Sequence, residues 1–192
     1  MTSYLPVIVL GAPWLAAVAI ILGGARRRLP EVVAIAAVAL SAVALLAAAG
    51  GALGVARFRA AWIPELGVGL ALRLDPLSVP FLVNTVVVGL LALVYGWDYL
   101  RHVPNRHVCY ALVLSFIGGM LGTLLASDVL LFFIFWELML VSSSLLLAGW
   151  GDGDQLGRVT LKYFLFTQGG SLFILLALAR LVSMAGSTRS EE

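Results

Sequence analysis

The stretch from Val129 to Trp150 leaves a polypeptide few choices. VLLFFIFWELMLVSSSLLLAGW is apolar from end to end apart from one carboxylate, Glu137, and a run of serines. About 20 such residues cross a hydrocarbon core about 30 Å thick, so the run reads as a membrane-spanning helix. Asp128 marks one end and the Gly149-Trp150-Gly151-Asp152 turn the other. At about 1.5 Å per residue, Glu137 lies ~14 Å from Asp128 and ~20 Å from Trp150, close to a bilayer midplane. A charge there costs at least ~2.5–3.5 kcal/mol, and an acid in that place is first read as a proton or ion site.

The remaining chain has the same character. It is 62% hydrophobic and 11% charged over 192 residues, which excludes a water-soluble domain and predicts an all-α integral membrane protein. Six segments reach spanning length: Thr2–Gly24, Val32 to about Leu53, Pro76 to about Trp97, Val108–Ala126, the run after Asp128, and Val159 to Ala179 or a little beyond. The opening M-T-S-Y-L-P lacks the basic region of a signal peptide, so the first run reads as a retained helix. Residues 1–54 thus carry two helices, 55–75 an extramembrane segment, 76–184 four helices, and 185–192 a polar tail. In the second segment, Val68, Leu70, Leu72 and Leu74 alternate with smaller or charged residues, which suggests a short strand of an external hairpin.

Loops are placed by their charges. Arg26, Arg27 and Arg28 with Pro30-Glu31 read as a basic loop, and Asp98–His107 as another, with His102 and His107 solvated. Asp75-Pro76 and Ser127-Asp128 read as helix starts. One side of the membrane collects Arg26, Arg27, Arg28, Arg101, Arg106 and Arg158, the other Arg57, Arg59, Arg73 and Arg189. By the positive-inside rule the first set faces the cytoplasm, so both termini lie outside a bacterial-type cytoplasmic membrane. A net charge of +2 spread over such loops does not point to nucleic acid.

Beside Glu137, a few residues could carry chemistry. Lys162, the sole lysine, sits a few residues inside helix six, as a snorkelling side chain or a water-linked relay. Measured from the shared turn, it and Glu137 are offset by about 12 Å along the helices, too far for a direct ion pair. Thr167, Gln168 and Ser171, with Gly169-Gly170, read as close packing with interhelical hydrogen bonds or as channel lining, and so do Ser142, Ser143 and Ser144. Gly118 and Gly122 form a packing spacing. Cys109 alone supplies neither a disulfide nor a cluster. No phosphate loop, dinucleotide fingerprint or nucleophile triad occurs, so no cofactor or redox centre is expected in this chain.

Four segments in order, W-I-P-E-L-G (62–67), L-D-P-L-S (74–78), S-D-V-L-L-F-F-I-F-W-E-L-M-L (127–140) and L-K-Y-F-L-F-T-Q-G-G-S-L (161–172), carry a resemblance. They resemble the antiporter-like membrane subunits of respiratory complex I, most closely the NADH:quinone oxidoreductase chain M type. That family also includes Mrp cation/proton antiporter and membrane-bound hydrogenase subunits. The resemblance implies that Glu137 is the helix-five glutamate of a proton half-channel and Lys162 the helix-six lysine. It implies as partners the other membrane subunits of such an assembly. The family's helix-seven lysine and second repeat are not in this sequence, which implies either a split subunit completed by another chain or a truncated remnant. A non-conducting structural or assembly subunit is the alternative from a different class.

Overall fold

The computed structural model describes residues 4–24, 29–50, 56–63, 68–151 and 153–185. The expectations for Arg26–Arg28, Asp152 and Arg189 fall outside them. Six helices follow one another: α1 Leu5–Gly23, α2 Leu29–Gly50, α3 Ser78–Tyr99, α4 Arg106–Leu125, α5 Val129–Trp150 and α6 Leu156–Ala185. All six are long and apolar enough to cross a membrane. With no water in a bilayer core, each such segment must satisfy its own backbone, and the helix does this within one segment. The protein is an all-α integral membrane protein.

Between α2 and α3 lies an antiparallel hairpin of β1 (Ala56–Ile63) and β2 (Val68–Leu74). Its register runs from Ala56 opposite Leu74 to Ile63 opposite Val68, with an irregularity between Ala61 and Ile63. In β2 the residues Leu72 and Leu74 are buried, as is the small Ala71, and Arg73 is half-buried, while Arg57 and Arg59 of β1 are exposed. Ser127 donates its backbone N–H to the Ala71 carbonyl (3.0 Å), tying the hairpin to the α4–α5 link. Tyr4 packs on Phe58 with ring centroids 5.8 Å apart, so the start of α1 lies at this same end of the bundle. At the opposite end the Trp150 indole N–H donates to the Pro104 carbonyl (3.2 Å).

Helix α4 is the hub, packed against α1, α2, α3 and α5. More than half of its span (56%) is buried, against 6% for α6, which packs on α5. Three glycines let the neighbours in. A β-carbon on Gly118 would stand 2.6 Å from the Trp14 indole nitrogen of α1. One on Gly119 would stand 3.1 Å from the Met139 backbone of α5, and one on Gly122 would run into the Phe135 ring. The glycine spacing is therefore a packing device. Buried Ser41 of α2 adds a polar tie, donating to the Val9 carbonyl of α1 at 2.9 Å.

The helix starts follow local chemistry. The Asp128 carboxylate accepts from the backbone N–H groups of Leu130 (2.9 Å) and Leu131 (3.2 Å), capping α5. Asp75 accepts from the Ser78 N–H at 2.8 Å while Ser78 Oγ accepts from the Asp75 N–H at 3.1 Å, a reciprocal pair at the start of α3.

Two loop assignments are corrected. Pro30 and Glu31 belong to the first turn of α2 rather than to a loop, and Glu31 is only 4% exposed. Arg106 and His107 open α4 rather than ending a loop, and His107 is half-buried, with its Nδ1 shut off from solvent. The physical reason is one ion pair: Arg106 reaches Glu31 at 3.3 Å and carries both residues into the bundle. His102, in the 3-10 turn before α4, is exposed as expected.

Candidate functional site

Glu137 lies midway along α5, half-buried, and its carboxylate is met by two side chains from α6. Gln168 donates from Nε2 to Oε2 at 2.7 Å, and Ser171 donates from Oγ to Oε1. Gln168 and Ser171 are three residues apart, which on an α-helix puts them on one face, one turn above the other. Ser171 is 1% exposed, so this contact is interior. An ionised carboxylate only accepts hydrogen bonds, and here each of its oxygens receives a donor.

The other candidates are arranged differently. Ser142 donates to the Leu138 carbonyl (2.7 Å), Ser144 to Leu140 (2.8 Å) and Thr167 to Tyr163 (2.8 Å). Each hydroxyl thus bonds the preceding turn of its own helix and does not reach Glu137. Ser143 shares a hydrogen bond with the Tyr163 hydroxyl across the two helices, at 3.0 Å. Lys162 is exposed on α6. It precedes Ser171 by nine residues, which at 100° per residue is half a revolution. Lys162 therefore projects from the face of α6 opposite the one that holds Glu137. The axial offset expected from the sequence is joined by an angular one.

An open cleft of about 380 Å³ separates α5 from α6 on the side toward their connecting turn. Val141, Ser144 and Ala148 line it from α5, and Gly157, Thr160 and Phe164 from α6. Val141, Ser144 and Ala148 follow Glu137 by four, seven and eleven residues, the positions that share its helix face. The cleft thus continues the line of Glu137, ending one turn short of it at Val141 and Phe164. The Thr160 hydroxyl in its wall is buried without a hydrogen-bond partner among the described residues. Among those residues, no three His, Cys, Asp or Glu side chains gather where they could hold a metal.

One charged cluster lay outside the expected set. Buried Glu31 and half-buried Arg106 form a pair between α2 and α4, and the hydroxyl of Tyr110, one turn along from Arg106, is buried without a partner among the described residues. The available signal was Pro30-Glu31 itself, since proline and an acid both favour the first turn of a helix.

Comparison with known proteins bears on the family and the fold. Residues 126–192 match the family model described as NADH:quinone oxidoreductase/Mrp antiporter, transmembrane. Residues 62–108 match that of NADH-ubiquinone oxidoreductase (complex I), chain 5 N-terminus. Together the two cover more than half of the chain. NADH-quinone oxidoreductase subunit M of Pseudomonas aeruginosa is 36% identical over 132 residues, 66% of this chain and 25% of the relative. The chain spans about a quarter of the length of the curated relatives it matches. Among solved structures, the Mrp complex of a Dietzia species aligns with a TM-score of 0.77 and 26% identity, over 98% of this chain and 20% of the other. Respiratory complex I from Thermus thermophilus aligns with a TM-score of 0.78 and 26% identity, over 96% of this chain and 38% of the other. In sequence and in fold, this chain belongs to the family of antiporter-like membrane subunits found in NADH:quinone oxidoreductase and Mrp antiporters.

Proposed function

We propose that this chain works inside a multisubunit membrane assembly of the complex I or Mrp type and contributes Glu137 as the proton-carrying acid of a half-channel. The observation that carries this reading is the two-donor cradle at Glu137. Its carboxylate sits in the middle of a spanning helix, where a charge is costly, and each oxygen meets a polar donor. A carboxyl group at that depth, with hydrogen bonds matched to its charged form, can hold a charge and give it up to a proton. The cleft toward the α5–α6 turn, with its unpartnered Thr160 hydroxyl, offers room for water close to that acid.

Lys162 serves as a relay residue in this proposal. Its outward face directs it to groups beyond these six helices and away from Glu137. The thin burial of α6 supports a further partner, a chain or segment supplying the remaining helices, seated on that helix. The basic loops face the cytoplasm, and both termini and the hairpin face outward, in a cytoplasmic-type membrane. Gln168 and Ser171 line the acid's pocket; Ser142 and Thr167 are weaker lining candidates, since their hydroxyls are satisfied within their own helices.

The hydrogen bonds from α6 to both oxygens of Glu137 also favour a second reading, a structural subunit in which the acid ties two helices together. Replacing Glu137 by Gln in the assembled complex separates the two. Loss of proton translocation with normal assembly is the expected outcome. Unchanged translocation sinks the proposal in favour of the structural reading.

A further inference from the structure

The two hydrogen bonds at Glu137 are chemically unequal. Gln168 presents an amide N–H to Oε2, and an amide nitrogen can only donate. Ser171 presents a hydroxyl to Oε1, and a hydroxyl can donate or accept. When Glu137 is ionised, both partners donate. When a proton binds, one oxygen becomes an O–H donor and requires an acceptor. Ser171 can become that acceptor by turning its own hydrogen toward the Thr167 carbonyl one turn back, a bond that helical serines make readily. The Gln168 amide, by contrast, would have to swing through half a turn to replace its N–H with its own oxygen, a larger movement than the rotation of one hydroxyl hydrogen.

We infer that Gln168 and Ser171 are positioning residues that divide the labour at Glu137: Gln168 pins Oε2 in place, and Ser171 makes Oε1 the oxygen that gains and loses the proton. This rests on the reading of Glu137 as the proton-carrying acid. The step is a simple transfer. A hydrated proton forms an O–H bond at Oε1, the water that carried it is left neutral, and the Ser171 hydroxyl rotates without losing its hydrogen.

The surroundings leave the exchange to these residues. From α4, the segment level with Glu137 is Gly119 to Gly122, which carries no ionisable side chain. From α6, Lys162 and Arg180 lie nine residues before and after Ser171, each half a revolution away, and Tyr163 is engaged with Ser143. From the hairpin end, β2 brings Arg73, which pairs with Asp75 at 3.3 Å. Asp128 is nine residues away at the α5 cap. Ser171 is buried and Gln168 half-buried, so both hold their geometry against solvent.

The test uses the complete assembly in proteoliposomes, with translocation measured against pH and the Glu137 carboxyl band followed by infrared difference spectroscopy. Glu137→Gln identifies the band. Gln168→Leu leaves Oε2 unpinned, so it should broaden the Glu137 carboxyl band and lower the rate, by less than Ser171→Ala does. Ser171→Ala should lower the rate about tenfold or more at every pH and move the carbonyl band toward that of an unbonded acid. Ser171→Thr, which keeps the hydroxyl, should restore both. A band unchanged in Ser171→Ala overturns the inference, as does a Ser171→Thr variant no better than alanine when rates are scaled to assembled complex. If Glu137→Gln still translocates, the proton-carrier reading fails, and the band shift in Ser171→Ala still decides whether Ser171 serves Oε1.

Discussion

Removing the Arg106 side chain tests whether the charged pair between α2 and α4 shapes the bundle. Glu31 is 4% exposed and its Oε2 has no hydrogen-bond partner among the described residues, so Arg106 at 3.3 Å on Oε1 is the counter-charge in view. Arg106→Ala leaves a buried carboxylate without it. Stranding one member of a buried pair costs about 3–5 kcal/mol. The Arg106 side chain is 20% exposed, so some water reaches the pair and the lower end, about 3 kcal/mol, applies. That is a shift of more than a hundredfold in an unfolding equilibrium. Replacing both residues, Glu31→Leu with Arg106→Leu, removes the stranded charge and should recover most of the loss, because an apolar pair of similar volume is often neutral or better. The assay is unfolding of the detergent-solubilised protein across a denaturing-detergent titration, followed by tryptophan fluorescence, on the single and double variants in parallel. A single variant as stable as the parent, or a double variant worse than the single, would refute a buried charge pair at this joint.

Three further outcomes follow from the packing. Gly122→Ala drives a β-carbon into the Phe135 ring and should cost about 1–3 kcal/mol, whereas Gly169→Ala meets nothing within 4 Å and should be neutral or slightly stabilising; the same titration compares them. Asp128→Ala removes the acceptor for the Leu130 and Leu131 N–H groups and should cost about 1 kcal/mol, while Asp128→Asn keeps an acceptor and should cost less. Ser41→Ala deletes the donor to the Val9 carbonyl and should weaken α1–α2 packing by about 1 kcal/mol, measured as faster cleavage in a limited proteolysis of the solubilised chain.

Much of the fold was legible because a bilayer permits so little. An apolar run of about 20 residues has one way to satisfy its backbone in hydrocarbon, so the spans could be counted from the chain alone. Strand β2 was legible for a related reason: a two-residue period is hard to mistake when Leu70, Leu72 and Leu74 stand between Gly69, Ala71 and Arg73. Its partner β1 was not, since Ala56–Ile63 is placed by cross-strand register and by contacts with α1 that no local pattern encodes. The same limit explains Glu31 and Arg106. Each was read from its charge as a loop residue, and only the other, 75 positions away in the chain, makes the interior tolerable.

At the candidate site the division follows distance along a single helix. Thr167, Gln168 and Ser171 were read alike, as polar residues within an apolar run, and of the three Gln168 and Ser171 share a face and meet Glu137. Thr167 and Ser142 looked equivalent in composition, yet each turns its hydroxyl back to its own helix. Hydroxyl polarity alone therefore does not mark a channel wall; a side chain must also lie on the inward face and have no nearer acceptor. Lys162 fails the first condition with respect to Glu137, since half a revolution separates it from Ser171. A cation held on the outer face of α6, among the exposed Leu165, Phe166 and Phe173, needs a counterpart beyond these six helices or a path to the membrane surface for its ammonium. The two charged candidates on α5 and α6 are thus set back to back across one helix. If the two exchange a proton as proposed, the path must run through α6 or around it, and the orientation of that helix, held at Glu137 by one amide and one hydroxyl, would then set the exchange.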